Sequence, residues 1–196
     1  MQLDEIDWKI IKELQQDGRR SFRELGEAIK YTGLGAKKRV EKLLGQKIIE
    51  VSTSINSEAL NINLAMLFLE MESSEAMQAV LDRFRDCPRI INFFTTLGGY
   101  NLIAFVMAED KGALECESIE KCSLRSARGI RRSEFFPIRN VHYKPFIDLR
   151  LPTNFKEGLA PCGADCLSCK GYQSTKCVGC PSSLHYRGPI RGLNVK

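Results

Sequence analysis

Five of the eight cysteines fall between Cys162 and Cys180, spaced Cys162-x3-Cys166-x2-Cys169-x7-Cys177-x2-Cys180. A Cys-x2-Cys pair forms a chelating knuckle, because the intervening turn aims both sulfurs at one ion, and two pairs supply a tetrahedral set. In a reducing compartment such crowding favours a metal over disulfides. The simplest assignment is Zn²⁺ on Cys166, Cys169, Cys177 and Cys180 with Cys162 spare. An iron–sulfur cluster, which also takes four thiolates, stays open as the alternative. His185, five residues after Cys180, reads as a surface histidine rather than a ligand, and Cys87, Cys116 and Cys122 read as small buried hydrophobes.

The compartment follows from what precedes this segment. The start, Met1 to Asp7, is acidic and has no apolar core of the kind a secretory signal carries. The longest apolar stretches, Leu64–Leu69 and Leu102–Ala108, fall short of the roughly 20 residues that cross a bilayer. A cytoplasmic protein with no membrane partner is expected. Hydrophobic residues make up 43% and charged ones 27% of the 196, enough apolar content to bury a core.

Charge divides the chain into three. Residues 1–50 carry a net +2, residues 51–150 a net −1 and residues 151–196 a net +4. Between residues 30 and 47, Lys30, Lys37, Lys38, Arg39, Lys42 and Lys47 stand against Glu41 alone. On a short helix that cluster is a phosphate-binding footprint, or else a solvated face. The expected domains are therefore residues 1–50, residues 51–150, and a cysteine-rich extension of residues 151–196 reached through the Pro- and Gly-containing linker 151–158.

The first part reads as three helices. Leu3, Ile6, Ile10, Ile11 and Leu14 recur at helical spacing behind an Asp4 cap, with Asp7 completing a capping box. Gly18 is placed to end this helix in the left-handed conformation. Ser21 caps a second helix bearing Phe22, Leu25, Ala28 and Ile29. Thr32 caps a third, whose Ala36, Val40 and Leu43 face inward. Two short helices joined by a tight turn, the second one cationic, make a helix-turn-helix whose second helix enters the major groove.

The residues Leu3-Asp4-x2-Asp7-x2-Ile10-Ile11-x2-Leu14-x2-Asp17-Gly18-Arg19, then Ser21-x3-Leu25 and Arg39-Val40-x2-Leu43-x4-Ile48-Ile49, run without gaps. This pattern resembles the leucine-responsive/asparagine regulator (Lrp/AsnC) family of transcription factors. Lys30-Tyr31 stands where that family usually has Gly-Leu, and Lys47 where it usually has Gly. The resemblance implies a winged-type helix-turn-helix on double-stranded DNA, dimeric or higher assembly, and no enzymatic activity. By side-chain chemistry, Lys37 and Lys38 reach guanine acceptors or phosphates. Gly33, Leu34 and Gly35 offer close approach and at most a thymine-methyl contact. Phosphate contacts fall to Arg19, Arg20, Ser21, Lys42 and the helix N-terminus at Thr32. Arg39 either joins them or braces the helices.

The middle follows the order strand, helix, strand, strand, helix, strand, a ferredoxin-like α+β pattern. Strands are expected at Asn63–Glu72, Ile90–Leu97, Leu102–Ala108 and Ile130–Ile138, with a linking strand at Ile48–Ile55. Helices run from Ser73 or Ser74 through Phe84 and from Asp110 to about Ser126. Gly98-Gly99-Tyr100-Asn101 marks a hairpin turn. Two helices cover one face of such a sheet, so the other is left for a second subunit, giving a homodimer or higher oligomer. The resemblance places a small effector, often an amino acid, near Gly98, Gly99, Tyr100 and Asn101. There Asn101 replaces the usual acidic residue.

No nucleophile triad, phosphate loop or paired-carboxylate motif emerges, and His142 and His185 are the only histidines. Two functions are weighed. One is a DNA-binding regulator with a metal-bound extension. The other is a metal- or redox-active accessory protein that uses its helix-turn-helix for docking.

Overall fold

The structure is a computed structural model that describes residues 2–152 and 158–190. The chain forms two compact units, Met1–Thr53 and Ser54–Lys196. The extension expected as a third domain belongs to the second unit.

The first unit is three helices, α1 (Glu5–Gln16), α2 (Phe22–Ile29) and α3 (Gly33–Gly45). Reciprocal capping boxes open two of them: Asp4 with Asp7 on α1, and Ser21 with Glu24 on α2. Each satisfies backbone N–H groups that the helix start leaves without partners. The Thr32 hydroxyl accepts the Gly35 N–H at 3.1 Å and starts α3. Ile10, Leu25, Ile29, Ala36, Val40 and Leu43 close the core between the three.

Two local expectations need correcting. Gly18 does not supply a left-handed cap. Asp17 is extended there, and its carboxylate accepts the Arg19 N–H at 2.9 Å, an Asx turn that ends α1 without glycine's help. The strand expected at Ile48–Ile55 is realised only at its last residue. Lys47 turns left-handed (φ 54°), and Ile48 donates to the Leu43 carbonyl at 3.0 Å. Ile48 and Ile49 thereby pack on the helical core instead of pairing with a strand. Among its described residues this unit has no strand to serve as a wing.

The second unit runs β1 (Ile55–Asn56), β2 (Asn63–Met71), α4 (Ser74–Arg83), β3 (Ile90–Thr95), β4 (Leu102–Ala108), α5 (Lys111–Ile119), β5 (Ile130–Pro137), β6 (Phe146–Ile147) and α6 (Lys170–Gln173). The main sheet has the order β3-β4-β2-β5, all antiparallel, which is the ferredoxin-like arrangement. The short pair β1 and β6 ties the ends of the sheet region together. Pro137 ends β5 at the sheet edge, where its missing N–H costs no interior pairing.

Alternation along β2 sorts the two faces. Ala65, Leu67, Leu69 and Met71 are buried against Val80 of α4, Phe84 at its C-terminal cap, and Ala113 and Leu114 of α5. The helix expected to run on to Ser126 stops at Ile119. The Ser123 hydroxyl accepts the Arg125 N–H at 3.0 Å and starts a separate 3-10 turn at Leu124–Ser126. Among the described residues no helix is long and apolar enough to cross a membrane.

Candidate nucleic-acid interface and cysteine cavity

The turn between α2 and α3 is built around Gly26. A Cβ there would lie 2.9 Å from three backbone atoms, Gly33 N, Thr32 C and Tyr31 O. Only glycine lets the second helix approach so closely. Lys30 reverses the chain in the left-handed conformation (φ 60°), and Tyr31 donates to the Gly26 carbonyl at 2.8 Å.

The turn leaves one face of α3 outward. Leu34, Lys37, Lys38 and Lys42 are exposed, whereas Ala36, Val40 and Leu43 are buried. Lys37 lies 3.7 Å from Glu41 and Lys42 lies 3.9 Å from Asp7, contacts loose enough to yield to a phosphate. Arg19 is solvent-exposed beside Asp17. Gly33 and Gly35 lie on the first turn, half-buried against the α2 end and the Tyr31 ring.

Other residues expected at the interface have internal partners. The Arg39 guanidinium donates to Asp4 at 2.6 Å and to the buried Asp7 at 2.8 Å, and its carbon lies 5.5 Å from the Tyr31 ring centroid. Of its two possible roles the structure shows the brace. Arg20 is ion-paired with Glu13, and the Ser21 hydroxyl both donates to the Glu24 carboxylate at 2.7 Å and accepts the Glu24 N–H. Of the cations expected at the interface, those left exposed are thus Arg19, Lys37, Lys38 and Lys42.

The loop after β3 is brought to the end of β2. Gly98 and Gly99 are exposed with negative-φ or extended backbone, and a Cβ on Gly99 would meet open space. The Tyr100 ring packs edge-on against Phe68 at 5.8 Å and under Arg132 at 5.0 Å. Asn101 is turned inward, with both ends of its carboxamide on the Met71 backbone.

The face of the sheet away from the helices carries aligned apolar groups. Cross-strand registers place Phe94, Ile103 and Phe68 in one row and Phe105, Met66 and Phe136 in the next. Phe94 and Phe136 are exposed and the other four half-buried.

The five cysteines of the extension gather around one cavity of about 240 Å³, and Cys87 and Cys122 of the sheet region line it too. These two, read from sequence as buried hydrophobes, are only half-buried. Cys116 alone keeps that reading. Among the described residues, no three His, Cys, Asp or Glu side chains are placed to hold a single metal ion. His185 is exposed and does not line the cavity. Burial pushes the Cys180 thiol up to about 12 and lifts Cys87 well above the ordinary thiol range. Such thiols keep their protons until an ion displaces them.

Arg89 anchors the cavity wall. Its Nη2 donates to Glu109 Oε2 at 2.7 Å and to the Gly179 carbonyl at 2.6 Å, and its Nε lies 3.3 Å from Glu117. Nη1 lies 3.9 Å from the Cys177 sulfur. The Tyr186 hydroxyl donates to the other Glu109 oxygen at 2.8 Å. Burial raises the Glu117 carboxyl to about 8 against the pull of Arg89. Gly112 of α5 admits the extension directly, since a Cβ there would collide with the Lys176 carbonyl. No spacing rule points to Arg89, Glu109, Gly26 or Gly112, because each acts through a partner far along the chain or through the absence of a side chain.

A three-helix unit with an outward cationic third helix, followed by a ferredoxin-like domain, defines a helix-turn-helix transcriptional regulator. Comparison with known proteins agrees. The AsnC-type helix-turn-helix domain matches residues 3–44. A Pyrococcus furiosus protein described as an HTH-type transcriptional regulator is 32% identical over 106 residues, covering 54% of this chain and 72% of the relative. The HTH-type transcriptional regulator FL11 of Pyrococcus horikoshii is 31% identical over 116 residues, covering 57% and 75%. Among solved structures, Escherichia coli AsnC superposes with a TM-score of 0.64 at 18% identity, covering 73% of this chain and 96% of its own. A Neisseria meningitidis regulator solved in complex with L-Met gives 0.65 at 19% identity, covering 72% and 93%. The chain belongs to the Lrp/AsnC family of transcriptional regulators.

Proposed function

We propose that the chain binds duplex DNA in a sequence-dependent manner as a homodimer or higher oligomer, with one α3 per copy in the major groove. The observation that carries this reading is the division of α3, with Ala36, Val40 and Leu43 buried while Lys37, Lys38 and Lys42 stand exposed. Cations displayed on one face of a recognition helix contact phosphates and guanine edges. The aromatic rows through Phe68 and Met66 supply the surface on which copies pair, since contiguous exposed apolar patches mark association sites.

An amino acid or similar small effector is the regulatory ligand in this reading. Gly98 and Gly99 support it: both are exposed, and Gly99 leaves open space where a Cβ would stand, room that a small ligand can use. Asn101 offers no charge to an effector ammonium, which must then find its partner elsewhere. The extension carries a metal, zinc or iron–sulfur, on Cys162, Cys166, Cys169, Cys177 and Cys180. Their convergence on one cavity supports that part.

Gel-shift titrations across a salt series test the DNA reading. Each phosphate contact contributes a slope of about −0.9 to log affinity against log salt. The double variant K37A/K38A is expected to bind more weakly and to flatten the slope by up to about 1.8 if both lysines meet phosphates. Its oligomer size by light scattering stays unchanged. Unaltered affinity and slope would remove α3 from the groove.

A further inference from the structure

We propose that the cavity between the extension and the sheet region is an iron–sulfur cluster site, and that the sheet region supplies at least one thiolate ligand from Cys87 and Cys122. This rests on the metal reading above and deepens it by naming the group and by moving part of its ligand set out of the extension.

Three observations carry the choice. The first is size. Zinc holds sulfur at about 2.3 Å, which sets tetrahedral sulfurs about 3.8 Å apart and leaves no hollow between them. Here no described trio is drawn in around one ion, and the thiols instead ring a space of about 240 Å³. That exceeds the roughly 150 Å³ of an engineered cavity that admits benzene. A cluster spreads its four thiolates around a core of several atoms and needs such room.

The second is where Cys87 and Cys122 sit. Cys87 follows α4, Cys122 follows α5, and both are half-buried cavity-lining thiols. Cys116, on the buried side of α5, lies behind Cys177 and outside the lining. Two helices of the sheet region therefore end with a sulfur at the same hollow that the extension's knuckles face.

The third is the fixed cation. Arg89 is held by Glu109, touches the Gly179 carbonyl inside the Cys177–Cys180 knuckle, and brings Nη1 to 3.9 Å from the Cys177 sulfur. Hydrogen bonds and charge beside the sulfurs are the levers by which a protein stabilises a cluster.

The test supplies ferrous and ferric iron in equal amounts with sulfide anaerobically to the full chain, then measures bound iron, acid-labile sulfide and the visible absorbance after desalting. A parallel sample receives Zn²⁺ alone. The expected result is a brown protein with iron and sulfide in matching amounts. C87S/C122S should lose more than half of both. Circular dichroism of each variant checks the fold, and the single variants C87S and C122S replace the double one if it does not fold. Full retention by both singles and the double overturns the shared ligation. Stoichiometric zinc without iron uptake overturns the cluster while the metal reading survives. Binding of neither probe removes both.

Discussion

The carboxamide of Asn101 is clasped on the backbone of Met71, accepting its N–H at 2.7 Å and donating to its carbonyl at 3.0 Å. A side chain thus continues the hydrogen bonding of β2 where the strand ends. In N101D the donor is replaced by a charged acceptor facing the Met71 carbonyl. Leaving that pairing broken in a half-buried place costs about 1–3 kcal/mol. Denaturant unfolding of N101D should show a lower midpoint with an unchanged slope. An unshifted midpoint would mean the clasp contributes nothing.

Gly26 is the tightest point of the helix-turn-helix. Three backbone atoms at 2.9 Å from a Cβ leave a methyl group no rotamer to escape into. G26A is expected to destabilise the first unit by about 1–3 kcal/mol, as overpacking does. DNA affinity should fall with it, because α3 must move. Wild-type affinity in G26A would show that the turn has slack the geometry does not suggest.

Lys30 and Lys47 occupy left-handed positions, at φ 60° and 54°. A side chain there costs on the order of 1 kcal/mol that glycine avoids. K30G and K47G should therefore each raise the melting temperature of the first unit. Both give up a positive charge, so DNA binding at low salt should weaken slightly. A lower melting temperature in both would contradict the strain argument.

The first unit should be acid-sensitive. Arg39 beside Asp4 and Ser21 bonded to Glu24 hold both carboxyls below their ordinary values of 3.8 and 4.5. A depressed folded value means the contribution is complete above the unfolded value and disappears as pH falls through the folded one. Stability is thus level at neutral pH and declines from about pH 4.5 downward. Trp8, the one tryptophan, lies on α1 and reports this unit within the whole chain. Its fluorescence should begin to change in that window. In the variant S21A, which keeps the Ser21 N–H on the Glu24 carboxylate, the Glu24 part of the decline should shrink.

Much of this architecture is readable from local pattern. Asp4, Ser21 and Thr32 announce their helices because a cap needs only a side-chain oxygen and the next three residues. The run of Ala65, Leu67 and Leu69 alternating with Met66 and Phe68 reads as a strand apolar on both faces, and only the fold shows that the first set meets the helices. Ile48–Ile55 misleads because β-branched residues suit a strand only where a partner strand exists, and here the helical core claims Ile48 and Ile49 first. The cysteine spacing identifies the extension but not its neighbours. Cys87 and Cys122 lie far from it along the chain, and only the fold brings them to the same hollow.

The extension also shares its interior with the sheet. Ala160, Cys162, Ala164 and Cys177 belong to the same buried cluster as Leu67, Val80 and Leu114, and Tyr186 completes the bonding of Glu109. During synthesis the last main-sheet strand precedes Ile190 by a lag of about 3–10 s at roughly 5–20 residues per second. For that interval the nascent sheet stands with part of its helical side wet and with Arg89 lacking the Gly179 carbonyl. The cavity wall is therefore completed only after the helical unit and the sheet have both been made.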